Sequence, residues 1–363
     1  MSEVYFFEYK AGRDPLRGLE ELFERAGFAE LFGGGRKVAL KLHMGERGNI
    51  TYLRPVFARK AVDLVRRAGG NPFLCDTTVI YPGGRYTALD YLETAAANGF
   101  VPGSVGAPII IADGPDGFQG RSFPLRKKIG EVPFDEMEVA SGILAADAVL
   151  FLSHFKGHEL SGIGGAIKQL AMGCTTKRGK AAQHSATSPK LREEKCTGCG
   201  VCVEECVWGA LEMREGKPRK IPERCFNCST CLFVCPQGAW EWEEDAREKF
   251  QRALAHAAWV VREALSGKNL AYINFVQDIT PLCDCAAPAG RPVIADVGIL
   301  ASTDPVALDK ASLDLVDRAP RLQDLGVDPP DILGKLHNTS SLIHIETAAA
   351  LGLGSLEYEL IEI

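Results

Sequence analysis

The chain has 363 residues, 46% hydrophobic and 24% charged, an ordinary composition for a folded protein with room for two or three domains. Lys and Arg total 41 against 47 Asp and Glu, and the net charge of -6 argues against a general nucleic-acid binder, whose backbone contacts need a basic surface. The first residues, Met-Ser-Glu-Val-Tyr-Phe-Phe-Glu, carry neither a basic region nor a long apolar core. No later stretch stays apolar long enough to span a bilayer, so the expected location is cytoplasmic, with no membrane span.

Apolar runs and helical patterns then alternate. A helix is expected over 16–28 and a strand over 38–42. A second helix is opened by Pro55 and closed by Gly69-Gly70, and a strand follows over 73–75. A helix over 88–97 ends at Gly99, with strands over 109–112 and 149–152. The pattern resumes late in the chain with a helix over 245–265 and strands over 270–275 and 293–295. Asp304-Pro305 reads as an N-cap followed by proline at the first helical position, opening a helix through Val316. Alternating strand and helix implies a mostly parallel sheet flanked by helices, the α/β class. The economical division is one α/β domain built from 1–188 and 243–363, interrupted by a small cysteine-rich insert over 189–242. Two independent α/β domains are the alternative.

Eight of the twelve cysteines fall in two copies of one spacing, Cys196, Cys199, Cys202 and Cys206, then Cys225, Cys228, Cys231 and Cys235 with Pro236 behind. In the bacterial ferredoxin run C-x2-C-x2-C-x3-C-P the fourth cysteine ligates the other cluster. The expected cofactors are therefore two [4Fe-4S] clusters with crossed ligand sets. Cys196, Cys199, Cys202 and Cys235 would hold the first, and Cys225, Cys228, Cys231 and Cys206 the second. Val207 stands where the first copy would have proline, which leaves its loop exit less fixed and removes no ligand. Zinc sites and disulfides are the weaker alternatives, since zinc sites pair cysteines as separated knuckles whereas three thiolates here stand at successive two-residue gaps, twice. Ala210-Leu-Glu-Met and Ala239-Trp-Glu-Trp follow the two runs at matching places, an internal repeat expected to form a short strand each time.

A second constellation begins where the strand Val149–Leu152 empties into Ser153-His-Phe-Lys-Gly-His-Glu-Leu-Ser-Gly-Ile-Gly-Gly-Ala-Ile-Lys168. A glycine-rich loop that opens a helix aims backbone N–H groups at an anion. Lys156, His158, Lys168, Lys177, Arg178, Lys180 and His184 add positive charge around it. The bland alternative is that Gly162, Gly164 and Gly165 only permit close packing. Lys41 and His43, Cys75 to Thr78, and Asp113 lie at other strand ends and could converge with this loop, since ligands in open α/β sheets bind outside the carboxyl ends of strands. Cys283-Asp-Cys285 sets two more thiols one residue apart.

Lys156-Gly-His158, Gly164-Gly-Ala-Ile-Lys168-Gln-Leu-Ala-Met-Gly173, Cys283-Asp-Cys285, Asp296-Val-Gly-Ile-Leu-Ala-Ser-Thr-Asp-Pro305 and the two cysteine runs occur together and in order. On these residues the chain resembles domain-of-unknown-function family 362, in its version with a two-cluster ferredoxin insert, from Val38 to about Val316. Where the family usually has asparagine after the lysine of Gly-Ala-Ile-Lys, Gln169 stands here. The resemblance implies an α/β domain, a two-cluster module and a redox role, without a substrate.

Three functional classes follow. The favoured one is an electron-transfer protein whose clusters pass single electrons between a redox protein partner and a partner or ligand at the α/β domain, in an oxygen-poor setting. The rival is an oxidoreductase whose catalytic candidates are Lys156, His158 and Lys168, fixing a small anionic ligand, and Cys283 or Cys285. The third is a binding or scaffold protein with structural clusters. Homo-oligomerisation is compatible with all three.

Overall fold

In the computed structural model, which describes residues 1–363, every residue of Ala148–His154 is buried. A strand covered on both faces carries a continuous apolar run, here Ala-Val-Leu-Phe-Leu. Its side chains alternate between two cores. Val149 and Phe151 join a cluster of 50 buried residues, while Ala148, Leu150 and Leu152 join one of 32 on the opposite face.

This strand lies inside an eight-stranded sheet made of β1 (Ser2–Glu8), β2 (Lys37–Leu42), β3 (Asn71–Asp76), β4 (Ile109–Ile111), β5 (Ala148–His154), β6 (Asn269–Val276), β7 (Gly298–Ser302) and β8 (Tyr358–Glu362). The spatial order is β8-β1-β7-β6-β5-β2-β3-β4. Only β7 runs against its neighbours; every other pairing is parallel. The sheet therefore takes strands from both sides of the cysteine-rich segment, in the α/β class with a mostly parallel sheet.

Local sequence explains the helices between these strands. Asp14 accepts from Leu16 N–H ahead of Pro15–Arg25, and Thr87 forms a capping box with Asp90 at the start of Ala88–Ala97. Asp304 caps Pro305–Arg318 through Val306 and Ala307 N–H, and its other oxygen accepts from Ser2 Oγ and Ser355 N–H. One carboxylate thus ties a helix start to both terminal strands. No helix is long and apolar enough to cross a membrane.

Three expectations need correction. The strand expected over 293–295 is absent; Ile294 makes only isolated bridges to Ile279 and Arg321, and the strand begins at Gly298. Residues 16–28 form two helices, Pro15–Arg25 and Phe28–Phe32, because Gly27 is left-handed (φ 68°) between them. The terminal strands β1 and β8 were not foreseen, since each shows mixed burial at the sheet's edge side.

From β2 the chain moves outward through β3 to β4, then returns to the other side of β2 at β5 and continues to β6. The direction of winding reverses between β2 and β5, so their carboxyl ends diverge around a crevice.

Candidate functional site

A cavity of about 170 Å³ opens at that crevice. His43 follows β2, Asp76 and Thr77 close β3, Ser153 and His154 close β5, and the loop after β6 brings Cys283, Asp284 and Cys285. The hairpin of Lys156–His158 and Gly162–Gly164, with the helix Ala166–Ala171, adds Lys156, His158 and Lys168. Lys180 and His184 arrive from the helix Lys177–His184. All five catalytic candidates named from sequence line this one cavity.

Most of its charges are neutralised inside the protein. Lys41 Nζ pairs with Asp76 Oδ1 at 2.6 Å and donates to Gln169 Oε1 at 2.7 Å, while Tyr91 donates to the other Asp76 oxygen. Arg85 Nε meets Glu46 Oε2 at 3.0 Å and its Nη2 donates to Tyr81. Asp284 Oδ1 hydrogen-bonds His154 Nδ1 at 2.8 Å, and its Oδ2 forms an ion pair with Lys156 Nζ at 3.1 Å. Burial opposes ionisation of Asp284, but His154 and Lys156 outweigh it and hold the carboxyl well below its usual range. Lys156 also donates to His154 O at 2.7 Å, so it acts as a strut between β5 and the Cys-Asp-Cys loop.

Lys168 is different. Its ammonium has no hydrogen bond or ion pair within the protein and is half-buried at the cavity wall. Lys180 donates to Thr77 Oγ1 at 2.8 Å and to Thr175 O, and burial lowers it to about 8. Burial also holds His158 well below its usual value and His184 at about 4, so both rings are neutral at pH 7. His158 Nδ1 accepts from Leu160 and Ser161 N–H at 3.2 Å, and its ring lies nearly parallel to Phe250. Ser153 Oγ and His184 Nδ1 are buried without any partner.

The two thiols of the loop are unequal. Cys285 Sγ faces His43 Nε2 at 3.6 Å, and His43 Nδ1 accepts from Gly45 N–H at 3.0 Å, which orients the ring. Hydrogen bonding from Cys283, reinforced by Arg85, His43 and Lys168, carries Cys285 well below the usual thiol range against the effect of burial. The same contact, together with burial, raises Cys283. The two thiols are thus driven in opposite directions, Cys285 towards and Cys283 away from ionisation.

The helix after the glycine-rich loop does not offer its amides to a ligand. Ala166 and Ile167 N–H donate to Asp309 Oδ1 and Oδ2 at 2.7 and 2.9 Å. A Cβ on Gly165 would sit 2.3 Å from Asp309 Oδ1, so this glycine serves close packing. The expected anion cradle is filled by the chain's own carboxylate, and Lys168 is the cation left for a ligand. Two other basic residues also fall outside the cavity. Lys177 lies over the Tyr86 ring at 3.7 Å, and Arg178 is on the surface beside Glu138. Asp113 accepts from Thr78 N–H and Oγ1 and does not line the cavity, while Cys75 and Cys174 are buried in the core. Sequence reading quoted His154 and Asp284 without giving them roles, and passed over Tyr81 and Arg85.

The cysteine-rich segment sits alongside. Lys190–Leu191 pairs with Trp240–Glu241 and closes the segment at its base, and Leu211–Arg214 pairs with Lys217–Lys220. One small cavity within it is lined by Cys196, Cys199, Cys202 and Cys235, a second by Cys206, Cys225, Cys228 and Cys231. Ala210 N–H donates to Cys206 Sγ and Ala239 N–H to Cys235 Sγ, each at 3.3 Å, so the repeat is matched in its hydrogen bonds. Burial raises Cys202 and Cys228 and pushes Cys231 up to about 12. Cys199 is exposed.

Trp208 joins the two regions. Its ring stacks on Phe226 at 3.6 Å and lines the second cysteine cavity, while its Nε1–H donates to Ile80 O at 2.8 Å. Ile80 and Tyr81 line the large cavity.

An α/β body with a strand-end cavity and an adjoining cysteine-rich segment is the class of protein defined here. The chain belongs to the family described as Domain of unknown function (DUF362), which matches residues 38–314. No curated protein matches it significantly. Among solved structures it is similar to the lactate racemase apoprotein from Thermoanaerobacterium thermosaccharolyticum, with 11% identity and a TM-score of 0.35 over 77% of this chain and 51% of that one. It is also similar to a protein from Thermotoga maritima, with 10% identity and a TM-score of 0.45 over 85% of this chain and 61% of that one. The chain thus spans less than two thirds of either structure, and likeness this distant carries no activity across.

Proposed function

We propose that the chain is a two-cluster iron-sulfur redox protein whose cysteine-rich segment, a ferredoxin-like insert, serves a ligand in the α/β cavity. The observation that carries this reading is the division of eight cysteines between two small cavities, each lined by three thiols of one run and the last thiol of the other. That division matches the crossed ligand sets of two [4Fe-4S] clusters. Zinc would draw its sulfurs to about 2.3 Å from one point. Here each set of four lines its own small cavity.

The chemistry of the donors fits the same group. Burial disfavours bare thiolates at Cys202, Cys228 and Cys231, and a bound cationic metal supplies the charge that keeps such sulfurs ionised. The amides of Ala210 and Ala239 are directed at sulfur, which tunes a cluster's potential. When bound, the clusters supply one-electron storage and transfer. Exposed Cys199 leaves one set open to a soluble redox partner. Trp208 sets the other set against the cavity wall, which favours an oxidoreductase acting on a cavity ligand over a free-standing carrier.

The test is a reductive titration of anaerobically purified protein followed by EPR. Reducible cubane signals from both sets are expected, and Trp208→Ala should alter the signal of the Cys206 set alone. A full complement of iron that no reductant can reach would make the clusters structural and overturn the reading.

A further inference from the structure

The large cavity holds one cation that the protein itself does not use. Arg85 and Lys156 each meet a carboxylate, and Lys180 is held by Thr77 and Thr175. Only Lys168 lacks a partner, and it lies on the same wall system as the Cys283-Asp-Cys285 loop. Asp284 Oδ2, a cavity-lining carboxylate oxygen buried without a hydrogen bond, keeps its ion pair with Lys156 at 3.1 Å; the two neutral polar atoms of lining residues left unpartnered although buried are Ser153 Oγ and His184 Nδ1, and Ser153 is 2% exposed. A buried polar atom without a partner is costly unless a ligand or water satisfies it. These atoms are suited to a neutral oxygen of a ligand whose charge is elsewhere.

We infer that the cavity is a binding site for a small carboxylate, with Lys168 holding the anion beside Cys285 and Ser153 and His184 meeting a neutral oxygen of the same molecule. A single available ammonium matches a single negative charge, and the helix amides that would favour a phosphate are occupied by Asp309. The volume of about 170 Å³ accommodates a molecule of a few carbons. Cys285 Sγ has His43 Nε2 as its polar neighbour at 3.6 Å, and no hydrogen bond or ion pair of the protein takes up Lys168. This assignment deepens the redox reading by naming the ligand class of the cavity, and its test is independent of the clusters.

The test compares iodoacetate with iodoacetamide on anaerobically purified protein, with modification at Cys285 measured by site-resolved mass spectrometry. In either reaction the Cys285 sulfur pair forms the S–C bond and iodide leaves with the C–I bonding pair. The two probes differ in carrying a carboxylate or a neutral amide. The expected result is that iodoacetate modifies Cys285 at least about tenfold faster than iodoacetamide, one charge-assisted contact's worth of discrimination. Lys168→Met should abolish that preference while leaving the iodoacetamide rate within about threefold, and Lys168→Arg should retain it. Should Lys168→Met not fold, protection of wild-type Cys285 from iodoacetamide by propionate, and not by propionamide, tests the same contact. Equal or reversed probe rates, or a preference that survives Lys168→Met, would overturn the inference. Metal content measured on the same samples separates the two readings, because a preparation without iron that still prefers iodoacetate sinks the clusters and leaves the carboxylate site standing.

Discussion

The α/β body and the cysteine-rich segment are held together by different physics. The body buries clusters of 50 and 32 apolar residues on the two faces of its sheet. The segment has a cluster of three, Cys202, Leu211 and Trp240, one of them a proposed ligand. About fifty residues cannot be stabilised by so little apolar burial, and small domains of this kind rely on metal or cross-links instead. The body should fold on its own core, and the segment should fold on the proposed clusters.

The comparison breaks most visibly when metal is removed. Anaerobic chelation should collapse hydrogen-exchange protection across 190–241 while β5 and β6 keep theirs, because binding free energy in such segments is folding free energy. Uniform loss across the chain would show that the two regions are one cooperative unit. A narrower perturbation is Cys235→Ala. With crossed sets it should remove about four irons from the site of Cys196, Cys199 and Cys202 and spare its own run, read as the loss of one EPR signal. Loss of the Cys225 site instead would contradict the crossing.

Within the body, a pH dependence in the mildly acidic range belongs to Asp309. Burial raises it to about 6 despite bonds from Asn274, Ile167 and Ala166. A carboxyl whose folded value lies above its unfolded value near 4 binds its proton more tightly in the native state. It therefore stabilises below pH 4, and that contribution is lost as pH rises towards 6, by up to about 3 kcal/mol. Asp309→Asn should flatten this part of the wild-type stability curve, measured by denaturant unfolding from pH 4 to 7; an unchanged slope would contradict it. The smallest expected effect is at the seam between the regions. Trp208→Phe keeps an aromatic ring but loses the bond to Ile80 O, at a cost of about 1 kcal/mol in unfolding experiments.

Sequence legibility divides along the same line. The spacing of the cysteine runs is a local property visible in the chain, and the helices opened at Pro55 and Asp304 could be read because proline and cap signals are local too. The site was legible in part. Lys156, His158, Lys168, Cys283 and Cys285 meet in one cavity, as strand-end residues of an α/β sheet can. Their division of labour was not legible, because it depends on partners far along the chain. Lys156 is neutralised by Asp284, and the loop amides are taken by Asp309, more than 140 residues away on a helix whose pattern looks merely structural. Arg85 gave no signal, since its burial against Glu46 and Tyr81 depends on loop packing that periodicity does not encode. Edge strands such as β8 failed for a related reason, having too little burial to impose a clear alternation.

The most direct measurement is the quantity of iron and acid-labile sulfide in protein purified without oxygen. About eight of each per chain is the expected result, set by two [4Fe-4S] clusters. Zinc in their place, or thiols that all react with alkylating reagent and carry no metal after reconstitution, would contradict the central claim.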